Sequence, residues 1–231
     1  ANLLFLPYKS FIKKVLDKAD KIICVSEYER TLISSHFPVK AEKIVVIPNG
    51  VNKHEFKDLK REKKDFQTIL YVGRLEKYKG VHYLVKALKQ LDENIILEII
   101  GKGTFESYLI KLARKLGVEK RVLFRHDLPR KDLLKSYVNA DLFVLLSKYE
   151  AYGITVLEAL TSGTPCLVAK TSALQEFVDE KNCFGIDYPI DINELSNLIT
   201  ALLGKKIVNV KCKSWDDVVN NLIEVYEEVS I

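Results

Sequence analysis

Short apolar runs alternate along this chain with segments whose apolar residues recur every three or four positions. Lys21–Ser26, Ile44–Pro48, Thr68–Gly73, Ile95–Ile100, Val122–Arg125, Leu142–Leu146, Cys166–Ala169 and Phe184–Tyr188 have the length and near-continuous hydrophobicity of strands buried on both faces. Between them, Val81, Leu84, Val85, Leu88 and Leu91 keep helical spacing. So do Leu109, Leu112, Ala113 and Leu116, and later Leu195, Leu198, Ile199 and Leu202. Buried strands separated by amphipathic helices predict a doubly wound parallel sheet covered on both faces, an α/β fold. A last helix is predicted over Trp215–Val229, with Val218, Val219, Leu222 and Val225 turned inward.

The rhythm breaks once. Residues 54–66 are rich in Lys, Asp and Glu, and they follow the turn signal Pro48-Asn49-Gly50. They read as a linker. Residues 1–53 hold only two strands and two helices, too little for a sheet with a core of its own. Residues 67–208 carry six strands and form the main domain, and 209–231 form the closing helix. No internal repeat or low-complexity tract is present.

Composition narrows the class. The chain has 231 residues, 48% hydrophobic and 29% charged, the balance of an ordinary globular protein. No run approaches the roughly 18 apolar residues of a membrane span, and the first residues lack the basic flank of a signal peptide. Met is absent, even at position 1, which is expected of a piece of a longer polypeptide. The net charge of +5 is modest and its lysines are scattered, which argues against a nucleic-acid partner and suits small acidic ligands. Cys24, Cys166, Cys183 and Cys212 show no metal-binding spacing, as expected of reduced thiols in the cytoplasm. The four histidines likewise form no ligand set, and His82 falls on a helix facing solvent or packing. The amphipathic basic stretch Lys9–Lys21 suits either a structural helix or contact with an anionic inner-membrane surface.

Three loops after strands carry candidate chemistry. In Gly73-Arg74-Leu75-Glu76-Lys77-Tyr78-Lys79-Gly80, two cations five apart bracket a strand-to-helix turn. Cations beside free backbone N–H groups make a diphosphate site, and a solvated charged loop is the alternative. In Gly101-Lys102-Gly103-Thr104, glycines let the backbone approach a nucleotide. The third glycine of the dinucleotide fingerprint is replaced by Glu106. The third loop holds Glu150 and Glu158, eight apart, the second in the early turns of a helix. Carboxylates accept hydrogen bonds that ribose or sugar hydroxyls donate.

In order along the chain stand Val25-Ser26-Glu27-Tyr28, Ile47-Pro48-Asn49-Gly50-Val51, Gly73-Arg74-Leu75 with Lys79-Gly80, Gly101-x-Gly103, Ala140-Asp141, the E-x7-E element Glu150–Glu158 with Gly163-Thr164-Pro165, and Ser214-Trp215-Asp216. This combination resembles the retaining group-one nucleotide-sugar glycosyltransferases of GT-B architecture. The resemblance implies a Rossmann-like donor domain preceded by a remnant of an N-terminal Rossmann domain. By it, Arg74 and Lys79 bind the donor diphosphate and stabilise the departing nucleotide. Glu150 contacts the transferred sugar, and Glu158 holds the ribose. Gly101 and the backbone of Tyr152, Gly153 and Ile154 complete the donor site. Catalysis then falls to Arg74, Lys79 and Glu150, with no metal, no cofactor, retention of the anomeric configuration and neither glutamate as a covalent nucleophile.

The same resemblance implies a cytoplasmic enzyme moving a hexose-type sugar from a nucleotide-diphosphate sugar to a hydroxyl of a sugar or lipid-linked acceptor. The acceptor would be held by an N-terminal domain missing here, so this portion is expected to be inactive alone. Asn52, Ala151-Tyr152, His126 and Thr171-Ser172-Ala173 depart from the family's usual residues. A non-catalytic nucleotide-sugar binding subunit and a sugar-nucleotide epimerase of the same architecture are the alternatives. The epimerase needs acid–base residues this chain does not show.

Overall fold

A computed structural model describes residues 6–208, 210 and 212–229. The chain divides into two compact units, one made of residues up to Gly50 with those from Lys213 onward, the other of Val51–Cys212.

The first unit contains α1 (Leu6–Lys18), β1 (Ile22–Cys24), α2 (Glu27–His36), β2 (Ile44–Val46) and α8 (Trp215–Val229). β1 and β2 pair in parallel, Ile22 opposite Ile44. β1 is shorter than the apolar run because Ser26 leaves the strand to cap α2. Its hydroxyl accepts from the Glu29 N–H at 3.1 Å, while Glu29 accepts from the Val25 N–H at 2.8 Å. This reciprocal capping satisfies N–H groups that the helix start leaves open. At α8 the Ser214 hydroxyl accepts from the Asp217 N–H, and Asp217 accepts from the N–H of Ser214 itself. On α8, Val218 and Val225 are buried beside Ile47 with Leu222 partly buried. Val219, expected inside, is 49% exposed, because the contact stripe of α8 is narrow.

The second unit begins with a 3₁₀ turn, Lys53–Phe56. It then runs β3 (Gln67–Val72), α3 (Val81–Leu88), β4 (Ile95–Ile100), α4 (Glu106–Leu116), β5 (Val122–Arg125), α5 (Arg130–Asn139), β6 (Leu142–Leu145), α6 (Ile154–Thr161), β7 (Cys166–Ala169), β8 (Cys183–Ile186) and α7 (Ile192–Leu202). Residues 54–66 lie along this unit. Phe56 is buried in its core, Arg61 pairs with Asp141, and Lys64 bonds the Asn139 carbonyl at 3.2 Å.

The six strands are all parallel, in the order β5-β4-β3-β6-β7-β8. Counted within the unit this is 3-2-1-4-5-6, the order of doubly wound nucleotide-binding sheets. Leu70, Leu97, Phe143 and Leu167 are fully buried, as central parallel strands require. Asp141 accepts from the Thr68 N–H at 2.7 Å and so ties the start of β6 to β3, at the sheet end away from the strand tips.

Candidate active site

β3 and β6 are neighbours, yet the strands that follow each lie on opposite sides of the pair. A crevice opens beyond the carboxyl ends of strands at such a switch point. The loops after β3 and β6 are the two that carry Arg74, Lys79 and Glu150.

The β3 loop is drawn tight against the β4 loop. The Gly73 N–H donates to the Ile100 carbonyl at 3.0 Å, and the Leu75 N–H to the Lys102 carbonyl at 2.8 Å. Gly101 has φ of 144°, and a Cβ there would sit 2.0 Å from the Gly73 carbonyl oxygen. Only glycine permits that approach. Tyr71 props the loop from beneath, its hydroxyl donating to the Arg74 carbonyl at 2.8 Å. Burial holds this phenol well above its ordinary pKa, so it stays a donor.

Lys79 ends a 3₁₀ turn (Lys77–Lys79), and α3 starts two residues on, at Val81. It therefore stands just before the helix rather than at its start, because Gly80 with φ of 76° separates the two. The Lys79 ammonium donates to Glu150 Oε1 at 2.5 Å. The Ser147 hydroxyl donates to the same oxygen at 2.8 Å. The Glu150 N–H donates to the Ser172 hydroxyl at 2.9 Å, which fixes the loop. Arg74 is exposed and donates to the Tyr78 hydroxyl at 2.9 Å, while Lys79 lies 5.3 Å from the Tyr78 ring centre. Tyr78 thus links the two cations.

Gly153 turns the β6 loop into α6 with φ of 122°, a conformation that side chains resist. Among the described residues no side chain caps α6, which leaves its first N–H groups open beyond the carboxyl end of β6. Tyr152 is half-buried against Phe177, ring centres 5.2 Å apart, and burial pushes its phenol up to about 12. Ile154 is 44% exposed, and what it offers the site is its backbone.

Glu158 belongs to a second network. It is 7% exposed and accepts from the Tyr137 hydroxyl at 2.8 Å and from Arg130 Nη1 at 2.5 Å. Arg130 in turn donates to both oxygens of Glu55, at 2.9 and 3.3 Å. Burial, then the Glu158 charge, keeps the Tyr137 phenol well above its ordinary pKa.

The structure thus joins Arg74 to Lys79 through Tyr78 and Lys79 directly to Glu150, sets Gly101 against Gly73, and places Gly153 and Ile154 at the start of α6. Tyr78, Ser147, Ser172, Arg130, Tyr137 and Glu55 are partners to which the sequence alone assigned no role. Arg130 had a signal: it follows Pro129 at the start of a helix after β5, on the same edge of the sheet. Among the described residues, no group of three or more His, Cys, Asp or Glu stands ready to hold a metal ion.

A family model for group 1 glycosyl transferases matches residues 52–217. The chain belongs to that family. Residues 2–55 also match a model for glycosyltransferase family 4. Among curated relatives, an uncharacterized glycosyltransferase of Methanocaldococcus jannaschii is 33% identical over 233 residues, covering 90% of this chain and 60% of the relative. Glycogen synthase of Mycobacterium tuberculosis is 34% identical over 190 residues, covering 80% of this chain and 46% of that enzyme. This group 1 glycosyltransferase chain therefore spans about half the length of the curated relatives it matches. Among solved structures, a glycosyltransferase of Rickettsia africae superposes with a TM-score of 0.84 at 20% identity, over 96% of this chain and 67% of that one. Anabaena HepE, in complex with UDP and glucose, superposes with a TM-score of 0.73 at 22% identity, over 84% and 57%. These structures share its fold, the GT-B glycosyltransferase architecture.

Proposed function

We propose that this group 1 glycosyltransferase chain is the donor-binding part of a retaining enzyme. It would bind a nucleotide-diphosphate sugar and pass a hexose-type sugar to an acceptor hydroxyl. The observation that carries the reading is the Lys79–Glu150 pair at the β3–β6 switch point, with Arg74 tied beside it through Tyr78. A cation and a carboxylate held together there match the two halves of a sugar diphosphate.

Arg74, Lys79 and the N–H groups of Gly153 and Ile154 would take the diphosphate and stabilise charge as the nucleotide leaves. Donors fixed before reaction need no reorganisation during it, which is what electrostatic catalysis requires. Glu150 would accept from sugar hydroxyls and Glu158 from the ribose. Gly101 would give the nucleotide close access to backbone. Neither glutamate is a covalent nucleophile in this reading, because charge stabilisation at the diphosphate drives departure of the nucleotide. In this reading no cofactor takes part and no metal is required.

The acceptor, a sugar or lipid-linked hydroxyl, would be held by sequence outside these 231 residues. The partial coverage of the relatives supports this. The match to an Escherichia coli galactosyltransferase named for UDP-Gal and a diphosphoundecaprenol acceptor, 28% identical over 231 residues, favours a UDP-sugar and a lipid-linked acceptor. In this reading the acceptor would be met on the cytoplasmic side of a membrane. No helix among the described residues is long and apolar enough to cross a membrane.

Calorimetry against UDP, GDP and ADP tests the reading. One of the three should bind, and Arg74→Ala or Lys79→Ala should weaken it by about tenfold or more per lost charged contact. Unchanged affinity in both variants would remove the diphosphate assignment.

A further inference from the structure

Glu158 is a buried carboxylate whose position is set by other side chains, and the charged one is Arg130. A carboxylate offers about four acceptor positions. Tyr137 occupies one on Oε2 and Arg130 one on Oε1, which leaves one on each oxygen for two neighbouring hydroxyls. A buried carboxylate also needs a positive partner nearby. Arg130 supplies it from the first residue of α5, on the edge where the strands end.

Arg130 is itself clamped. Nε and Nη2 donate to the two oxygens of Glu55, while Nη1 reaches Glu158. The guanidinium is planar and its donors are fixed in direction, so bidentate capture at one end dictates where the other points. Glu55, on the 3₁₀ turn that opens the unit, therefore orients Arg130, and Arg130 orients Glu158.

We infer that Arg130, anchored by Glu55, is a positioning residue that presents Glu158 to the ribose diol of the donor nucleotide. This rests on the reading of Glu158 as the ribose-holding carboxylate. Arg130 acts through Glu158 and not on the phosphates. Its contribution therefore belongs to the ribose hydroxyls alone and shrinks with a nucleotide that lacks one of them.

The test compares a ribonucleotide with its 2′-deoxy counterpart by calorimetry, using whichever of UDP, GDP or ADP binds most tightly. The unaltered chain should prefer the ribonucleotide by about tenfold or more, one hydrogen bond to a charged group. Arg130→Met should lower ribonucleotide affinity by about tenfold and 2′-deoxynucleotide affinity by about twofold or less. Arg130→Lys should restore part of the preference. Glu55→Gln leaves Arg130 and Glu158 in place and should shrink the preference by about threefold. Equal losses for both nucleotides in Arg130→Met, or an unchanged preference in Glu55→Gln and Arg130→Met alike, would overturn the inference. Glu158→Gln separates the two levels. A preference that survives it overturns the ribose assignment itself, whereas its loss there with no change in the Arg130 variants overturns only the role of Arg130.

Discussion

Lys79 Nζ lies 2.5 Å from Glu150 Oε1, and both side chains are largely buried, 12% and 16% exposed. The two residues are 71 positions apart and belong to loops after different strands. They meet because β3 and β6 are neighbours in the sheet. A carboxylate in that position is acceptable only while its cation is present.

Removing the cation should cost more than removing the pair. Lys79→Ala leaves the Glu150 carboxylate, among the described residues, with the Ser147 hydroxyl alone and should destabilise the fold by about 2–3 kcal/mol. Lys79→Ala with Glu150→Gln should be less destabilised than Lys79→Ala alone, by about 1 kcal/mol or more. Denaturant unfolding of the four members of this cycle measures the coupling.

Tyr137 should report on the second network. Its side chain is fully buried and its hydroxyl serves Glu158. Tyr137→Phe keeps the ring and strands one acceptor position, so a loss of about 1–2 kcal/mol is expected. Thermal unfolding would read it, and an unchanged midpoint would contradict the bond.

Gly101→Ala should be among the most damaging single changes. The new methyl would press on the Gly73 carbonyl at 2.0 Å, with φ of 144° adding strain. The expected cost is about 2–4 kcal/mol, together with loss of nucleotide binding as the β3 loop shifts. Gly117→Ala is a control, since nothing lies within 4 Å of its added Cβ and only its φ of 71° is strained.

Acid should weaken the fold through His82. Its ring packs on Tyr83 and Phe105, and its Nδ1 has no hydrogen-bond partner among the described residues. Burial, aided by Lys86 and Lys77, lowers its pKa from 6.5 to about 4. Above pH 6.5 the ring is neutral folded or unfolded, and pH has no effect through it. Between 6.5 and about 4 the unfolded chain takes up a proton that the folded chain refuses, so stability falls with pH. Urea midpoints over this range should drop less steeply in His82→Gln.

If Arg74 and Lys79 do the charge stabilisation, a chelator should leave turnover of the complete enzyme unchanged. A rate that falls with EDTA and returns with a divalent cation would contradict the metal-independent reading.

The sheet was legible because buried parallel strands are almost purely apolar. Ile95–Ile100, Val122–Arg125 and Cys166–Ala169 match the apolar runs at both ends. β1 and β2 come out shorter, because chain geometry at Ser26 and after Val46 ends pairing before hydrophobicity does. Helical spacing named α3, α4 and α7 but not α5, whose ten residues include a buried Ser136 among few apolar positions. That is why Arg130 and Tyr137 escaped notice: their element was unread, and their partner Glu158 lies on a different helix. The ion pair of Lys79 with Glu150 was likewise invisible. Each loop was legible, whereas their adjacency is a property of strand order, which periodicity does not encode.

Strand order also bears on how the molecule reaches its native state. β3 pairs with β6, Ile69 opposite Leu142, so the sheet's centre joins strands that β4, β5 and their helices separate in sequence. Such non-local pairing is slow to form. A partly folded chain can hold the β3–β4–β5 half intact and still bring no acid to Lys79. Nucleotide capture in a refolding experiment would therefore time the joining of the two halves, and would lag behind the recovery of secondary structure.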